Sequence, residues 1–131
     1  MEWKFTGDKP VYQQIVERLS GAILTGKYPA GQRIPSVREL AAQARVNPNT
    51  MQRALQEMED RKLLITLGTT GRCVTEDQQV LEDLRCRAVD QAIQLCVEQL
   101  RILGVSAEQA AQRMLELEKG EQKYGCCITG K

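Results

Sequence analysis

The chain of 131 residues contains no histidine. That absence removes the commonest general base, and with it every Ser–His, Cys–His or His-ligated zinc arrangement. There is no G-x-S-x-G nucleophile elbow and no phosphate-binding glycine loop. No catalytic constellation is left, so an enzyme is not the expected class. Aromatic residues are scarce, with one Trp, one Phe and three Tyr, and the core must be mostly aliphatic. No apolar run approaches the ~20 residues of a membrane span. The start Met1-Glu2-Trp3-Lys4 lacks the basic-then-apolar pattern of a signal peptide. A cytoplasmic location without a membrane partner is the expectation.

Cysteine is present but not in a usable pattern. Cys73, Cys86, Cys96, Cys126 and Cys127 make an odd set of five with no CxxC, so neither a disulfide framework nor a common zinc spacing exists. No metal and no cofactor are expected. Cys86 and Cys96 fall in a helical stretch, where Cys acts as a small apolar residue. The adjacent Cys126-Cys127 pair suits either a soft-metal or oxidant sensor or an unstructured tail. Thiols without a neighbouring base argue weakly for chemistry. Strong net charge is also missing, but the +1 total hides an asymmetry. Residues 1–75 hold 11 Lys and Arg against 7 Asp and Glu, a balance of +4, and residues 76–131 hold 7 against 10, a balance of −3. A basic front half joined to an acidic rear half fits a nucleic-acid reader attached to a module that does not touch nucleic acid.

What the chain does have is concentrated in residues 34–75. Pro35-Ser36-Val37-Arg38-Glu39-Leu40 opens a helix, with Ser36 and Glu39 spaced as a capping box. The hydroxyl takes an orphan backbone N–H and the carboxylate reaches back to the cap. Val37, Leu40, Ala41 and Ala44 then share one helical face. Arg45-Val46 makes a tight turn, and Asn47-Pro48 begins a second helix with Asn as N-cap and Pro at the first position. This helix buries Met51, Ala54, Leu55 and Met58 and turns Asn49, Thr50, Gln52, Arg53 and Gln56 outward. Amides, a hydroxyl and one Arg offered from the start of a helix suit base edges and phosphates in a major groove. Leu63-Leu64-Ile65-Thr66, the turn Gly68-Thr69-Thr70-Gly71, and Arg72-Cys73-Val74-Thr75 read as a hairpin. A two-stranded ribbon directly after a recognition helix is a wing, whose glycines let backbone approach a phosphate without a Cβ in the way.

Around this unit the pattern is helical. Residues 1–8 form an extended arm in which Trp3 and Phe5 suit either a short edge strand or an apolar anchor. Tyr12, Ile15, Leu19, Ala22 and Ile23 follow helical spacing until Gly26, and Arg33-Ile34 is placed to add a short strand to the hairpin. After Glu76-Asp77 a long helix runs to about Leu103. Ser106 and Gln109 then repeat the capping-box spacing at the head of a shorter helix ending at Gly120. The apolar residues of these two helices cover more than one narrow stripe, too much to bury against each other. Pairing with the same helices of a second chain is the economical solution, with Leu84, Ala88, Ala92, Leu95, Ile102, Met114 and Leu117 as the expected dimerisation residues. The expected division is therefore 1–75 winged helix-turn-helix, 76–120 helical dimerisation region and 121–131 flexible tail.

The ordered motifs Pro10-x-Tyr12-x-Gln14-Ile15, Gly26, Gly31, Ile34-Pro35-Ser36-x-Arg38-x-Leu40-Ala41, Val46-Asn47-x-Asn49-Thr50, Arg53-Ala54-Leu55 and Gly68-x-x-Gly71 carry a resemblance. The first 75 residues resemble the N-terminal winged helix of GntR-type bacterial transcription regulators. The Val46-Asn47-Pro48-Asn49-Thr50-Met51-Gln52-Arg53-Ala54 variant with a very short C-terminal region resembles the YtrA subgroup. The resemblance implies an α+β, mainly α fold, with a winged helix-turn-helix followed by a two-helix dimerisation region. It further implies a homodimeric, sequence-specific repressor acting near its own operon, often one encoding a transporter. Double-stranded DNA carrying an inverted-repeat operator is the implied partner. Pro48 and Gln52 stand where many relatives place Arg, and Gln favours adenine where Arg favours guanine. Lys62 replaces a usual Gly, at a cost on the order of 1 kcal/mol if it must be left-handed.

Within that frame Arg38 is the leading DNA contact, and Asn47 both caps its helix and faces a phosphate. Asn49 and Thr50 point at bases or phosphates, and Gln52 joins them. Arg53 either does so or pairs with Glu57 one turn along. Ser36 is first a cap and then a backbone contact. Gly68 and Gly71 shape the turn, with Gly68 and Thr69 offered to DNA, and Arg72 faces either a phosphate or solvent. The roughly 55 residues after the wing leave little room for a conventional ligand pocket. Any small effector is therefore expected at the dimer interface. A winged-helix module that binds protein rather than DNA is the remaining rival.

Overall fold

The computed structural model describes residues 3–68 and 71–120. Thr69, and the expected tail with Cys126 and Cys127, lie outside the described residues. Among the described residues the order is α1 (Val11–Leu24), α2 (Val37–Ala44), α3 (Pro48–Asp60), β1 (Leu64–Thr66), β2 (Arg72–Val74), α4 (Gln78–Ile102) and α5 (Ala107–Glu118). Two compact units divide at Arg85, inside α4. None of the described helices is long and apolar enough to cross a membrane.

In the first unit α1 starts without a side-chain cap. Gln14 compensates. Its Oε1 accepts from the Thr6 N–H, and its Nε2 donates to the Thr6 and Lys9 carbonyls, all at 2.8 Å. One buried amide thus satisfies backbone groups of the arm that no sheet supplies. Trp3 and Phe5 pack on the core nearby, so the arm is an apolar anchor rather than an edge strand. Of the spaced positions of α1, Ile15, Leu19, Ala22 and Ile23 are buried and Tyr12 is half-buried, while Val16, which the periodicity missed, is buried with them.

Both α1 and α2 pack against α3, which places α3 at the centre with one side left outward. Ile15 and Leu19 of α1, Leu40 of α2, Met51, Leu55 and Met58 of α3, and Val74 of β2 are fully buried. Each such side chain contributes ~1.5–3 kcal/mol on leaving water. β1 and β2 are antiparallel, with Leu64 opposite Val74, Ile65 opposite Cys73 and Thr66 opposite Arg72. Strand alternation turns Leu64 and Val74 into the core. The short third strand expected at Arg33-Ile34 is reduced to one bridge, Arg33 to Cys73, with the Ile34 N–H donating to the Arg72 carbonyl at 3.0 Å.

α4 is capped by Asp77, whose Oδ1 accepts from the Gln79 and Val80 N–H groups at 3.0 and 3.4 Å. Its first turns belong to the winged unit, because Val80, Leu81 and Leu84 pack on that core. The compact boundary accordingly falls at Arg85 and not after Thr75. Leu84, assigned above to dimerisation, is spent on its own unit's core.

The second unit holds the rest of α4 and α5. Gly104 at φ 74° and the Val105 N–H bond to the Leu100 carbonyl close α4. Ser106 and Gln109 then form the expected capping box at the head of α5. Ile93, Val97, Leu100, Val105, Ala111 and Met114 line an apolar cleft of about 210 Å³. Ala110 is buried, whereas Leu95, Ile102, Met114 and Leu117 are exposed. Cys86 is exposed rather than packed as a small apolar residue.

Candidate nucleic-acid interface

The site is assembled from two helix starts and a ribbon. At the head of α2 the Glu39 N–H donates to Ser36 Oγ at 3.2 Å, and the Glu39 carboxylate accepts from the Ser36 N–H at 3.4 Å. This reciprocal cap fixes the first turn, on which Arg38 stands exposed. Arg45, left-handed at φ 57°, then turns the chain into α3. At its head Asn47 Oδ1 accepts from the Asn49 N–H at 2.7 Å, and Pro48 occupies the first helical position. Asn49, Gln52, Arg53 and Gln56 are exposed, and Thr50 is half-buried.

The charge along α3 is sorted. Its first turns present amides and Arg53. Its last turns carry Glu57, Glu59 and Asp60, and each carboxylate is engaged. Glu57 pairs with Arg61 at 2.9 Å, Asp60 accepts from Gln56 Nε2 at 3.1 Å, and Glu59 accepts from both Thr66 and Arg72. The start of the helix is thus neutral to positive, and the acidic end is internally matched.

Two expectations change here. Arg53 does not pair with Glu57. Its Cζ lies 3.8 Å from the centroid of the Tyr12 ring. Arg72 does not face outward. It is only 17% exposed, with its Nε on Glu59 Oε1. The reason is geometric, since Arg72 sits opposite Thr66 in the ribbon and both reach the same carboxylate at the end of α3. Glu59 therefore ties the wing to the recognition helix. The Thr66 hydroxyl, opposed by partial burial and helped by Arg72, holds its carboxyl below its ordinary value of 4.5. Sequence reasoning missed Glu59 because its partners are 7 and 13 residues away. Gly68 (φ 54°) and Gly71 (φ 98°) supply the turn, and a Cβ on Gly71 would meet Arg33 Nε at 3.3 Å. Arg33 at the base of the wing is a cation the motif reading passed over.

A helix-turn-helix with capped helix starts, an exposed polar row on the second helix and a ribbon clamped beside it define a winged helix-turn-helix. Residues 11–74 match the family described as bacterial regulatory proteins, gntR family. The HTH-type transcriptional repressor YtrA of Bacillus subtilis is 33% identical over 121 residues, covering 92% of this chain and 88% of that one. A solved GntR family transcriptional regulator from Listeria monocytogenes is 36% identical with a TM-score of 0.77, covering 86% of this chain and 98% of that one. The DNA-binding domain of AraR, solved in complex with operator ORX1, is 30% identical with a TM-score of 0.53 over 57% of this chain and 96% of that chain. The chain belongs to the GntR family, in its YtrA-type branch, and is a DNA-binding transcription regulator rather than an enzyme.

Proposed function

We propose that the protein is a homodimeric, sequence-specific repressor of its own operon, working in the cytoplasm. Two copies of α3 enter successive major grooves of an inverted-repeat operator, and Ser36, Arg38, Asn47, Asn49, Thr50 and Gln52 make the polar contacts. Gly68, at the turn of the wing, approaches the flanking backbone. Two protomers join through Ala88, Ala92, Leu95, Ile102, Met114 and Leu117, and a small effector, if one acts, binds where those helices meet. The observation that carries this reading is the exposed polar row at the start of α3, backed by a fully buried face on the same helix. The repressor sign follows the relatives that bear that name.

Selection of bound duplexes from random DNA tests it. The expected product is a two-fold-related pair of half-sites, and enrichment of no duplex overturns the reading. Arg38 is exposed and makes no ion pair among the described residues. Arg38→Ala is expected to weaken the selected site by about 1–3 kcal/mol and to relax its sequence preference if the contact is to a base.

A further inference from the structure

Arg53 does not project freely from α3. Its guanidinium carbon stands 3.8 Å from the centre of the Tyr12 ring on α1. Tyr12 is half-buried and packed against the core, whereas Arg53 is exposed. The ring is therefore the fixed partner and the guanidinium the guided one. Glu57, which helical spacing offers to Arg53, is committed to Arg61. The ring holds Arg53 at the α1 side of the helix, where it still lines one surface depression with Asn49, Gln52 and Gln56. A guanidinium lying over an aromatic face keeps its N–H donors around its rim, where a phosphate is bonded in pairs. A long side chain already held in place loses less rotamer freedom when it binds.

We propose that Tyr12 is a positioning residue for DNA binding, holding Arg53 as a preformed clamp for a backbone phosphate. This deepens the reading of α3 as the DNA face and rests on it. Arg53 then sets register and affinity and carries no sequence preference of its own.

The test uses the full chain and a duplex selected from random DNA by the unmodified protein. Tyr12→Leu is expected to weaken binding on the order of tenfold at a site read twice, and to have no effect once Arg53→Ala is present. Tyr12→Phe keeps the ring and is expected to keep the affinity. Arg53→Ala is expected to reduce the slope of log affinity against log salt by about one for each protomer. Equal losses from Tyr12→Leu in both backgrounds overturn the proposal, because the ring would then act through the core alone. An unchanged salt slope in Arg53→Ala overturns it as well. Should Tyr12→Leu unfold the protein, Arg53→Lys decides, since it keeps the charge without the paired donors. A several-fold loss supports the clamp, and unaltered affinity overturns it. Enrichment of no duplex at all removes the parent reading and this one with it, a result distinct from either failure above.

Discussion

Leu40, Met51, Leu55 and Met58 in the winged unit are each 0% exposed, whereas in the helical unit Leu95 is 59% and Ile102 86% exposed. The side chains are of the same kind, so composition does not explain the contrast. Topology does. Three helices and a ribbon enclose a volume, and α3 gains neighbours on two sides. The larger part of α4 and a 12-residue helix enclose far less. The first unit thus encloses a core within one chain, though Ile65 and Leu67 of the wing stay exposed, while the second leaves most of its large apolar side chains in water at roughly 25 cal/mol per Å². The proposed dimer removes that cost where it arises.

The most direct way to break the comparison is to make the exposed face of the second unit repel itself. Leu95→Glu combined with Ile102→Glu is expected to give single chains in sedimentation. Unfolding of the winged unit should change by no more than about 0.5 kcal/mol. Affinity for the selected operator is expected to fall about 10²- to 10⁴-fold, the advantage of linking two half-site readers. Persistence of a two-chain species would mean that the exposed side chains answer to something other than a second copy. The reciprocal change sharpens the contrast. Leu55→Ala is expected to destabilise the protein by about 2–5 kcal/mol in urea unfolding, because a cavity opens in a core with no partner to refill it. Its loss should not depend on protein concentration, whereas any loss from Leu95→Ala should.

Most of the first unit was legible in local sequence. Capping boxes at Ser36 and Ser106, the N-cap at Asn47, Pro48 at the head of α3 and the turn glycines obey rules spanning four residues or fewer, and each is realised. The buried set of α3 followed from periodicity alone. What escaped were contacts between distant positions. Nothing near Glu59 announces Thr66 and Arg72, and nothing near Arg53 announces Tyr12. The division into compact units at Arg85 was not legible for the same reason, because Val80, Leu81 and Leu84 show helical periodicity but not which core they serve. Charge sorting along α3 shows why Arg72 misled. A lone Arg in a wing reads as a phosphate contact until the carboxylate opposite is known.

That carboxylate gives a smaller, pH-dependent test within the winged unit. The Thr66 hydroxyl, then Arg72, holds the folded carboxyl of Glu59 below 4.5. A group depressed on folding adds stability that is fully present above its unfolded value and lost as pH falls through the folded one. Glu59→Gln is therefore expected to cost about 1–2 kcal/mol at pH 7, with most of the difference from the unmodified protein vanishing as pH drops below 4.5. Urea midpoints at the two pH values measure it. A difference that persists undiminished in acid would assign the effect to shape and not to charge.

The smallest expected effect separates the units by how they handle strained backbone. In the helical unit the left-handed positions are glycines, Gly104 at φ 74° and Gly120 at φ 81°. In the winged unit Arg45 at φ 57° and Lys62 at φ 64° occupy the same region with a Cβ. A left-handed L-residue costs about 1–2 kcal/mol, and it persists only where its surroundings over-determine it. Lys62 meets that condition. Its N–H donates to the Glu59 carbonyl and the next N–H, on buried Leu63, donates to the Met58 carbonyl, both at 2.9 Å. Lys62→Gly relieves the strain but enlarges the unfolded ensemble, so a net gain of about 0.5 kcal/mol is expected. A raised urea midpoint confirms that the winged unit's packing imposes the conformation. A lowered one would show that the Lys62 side chain contributes more than its backbone geometry costs.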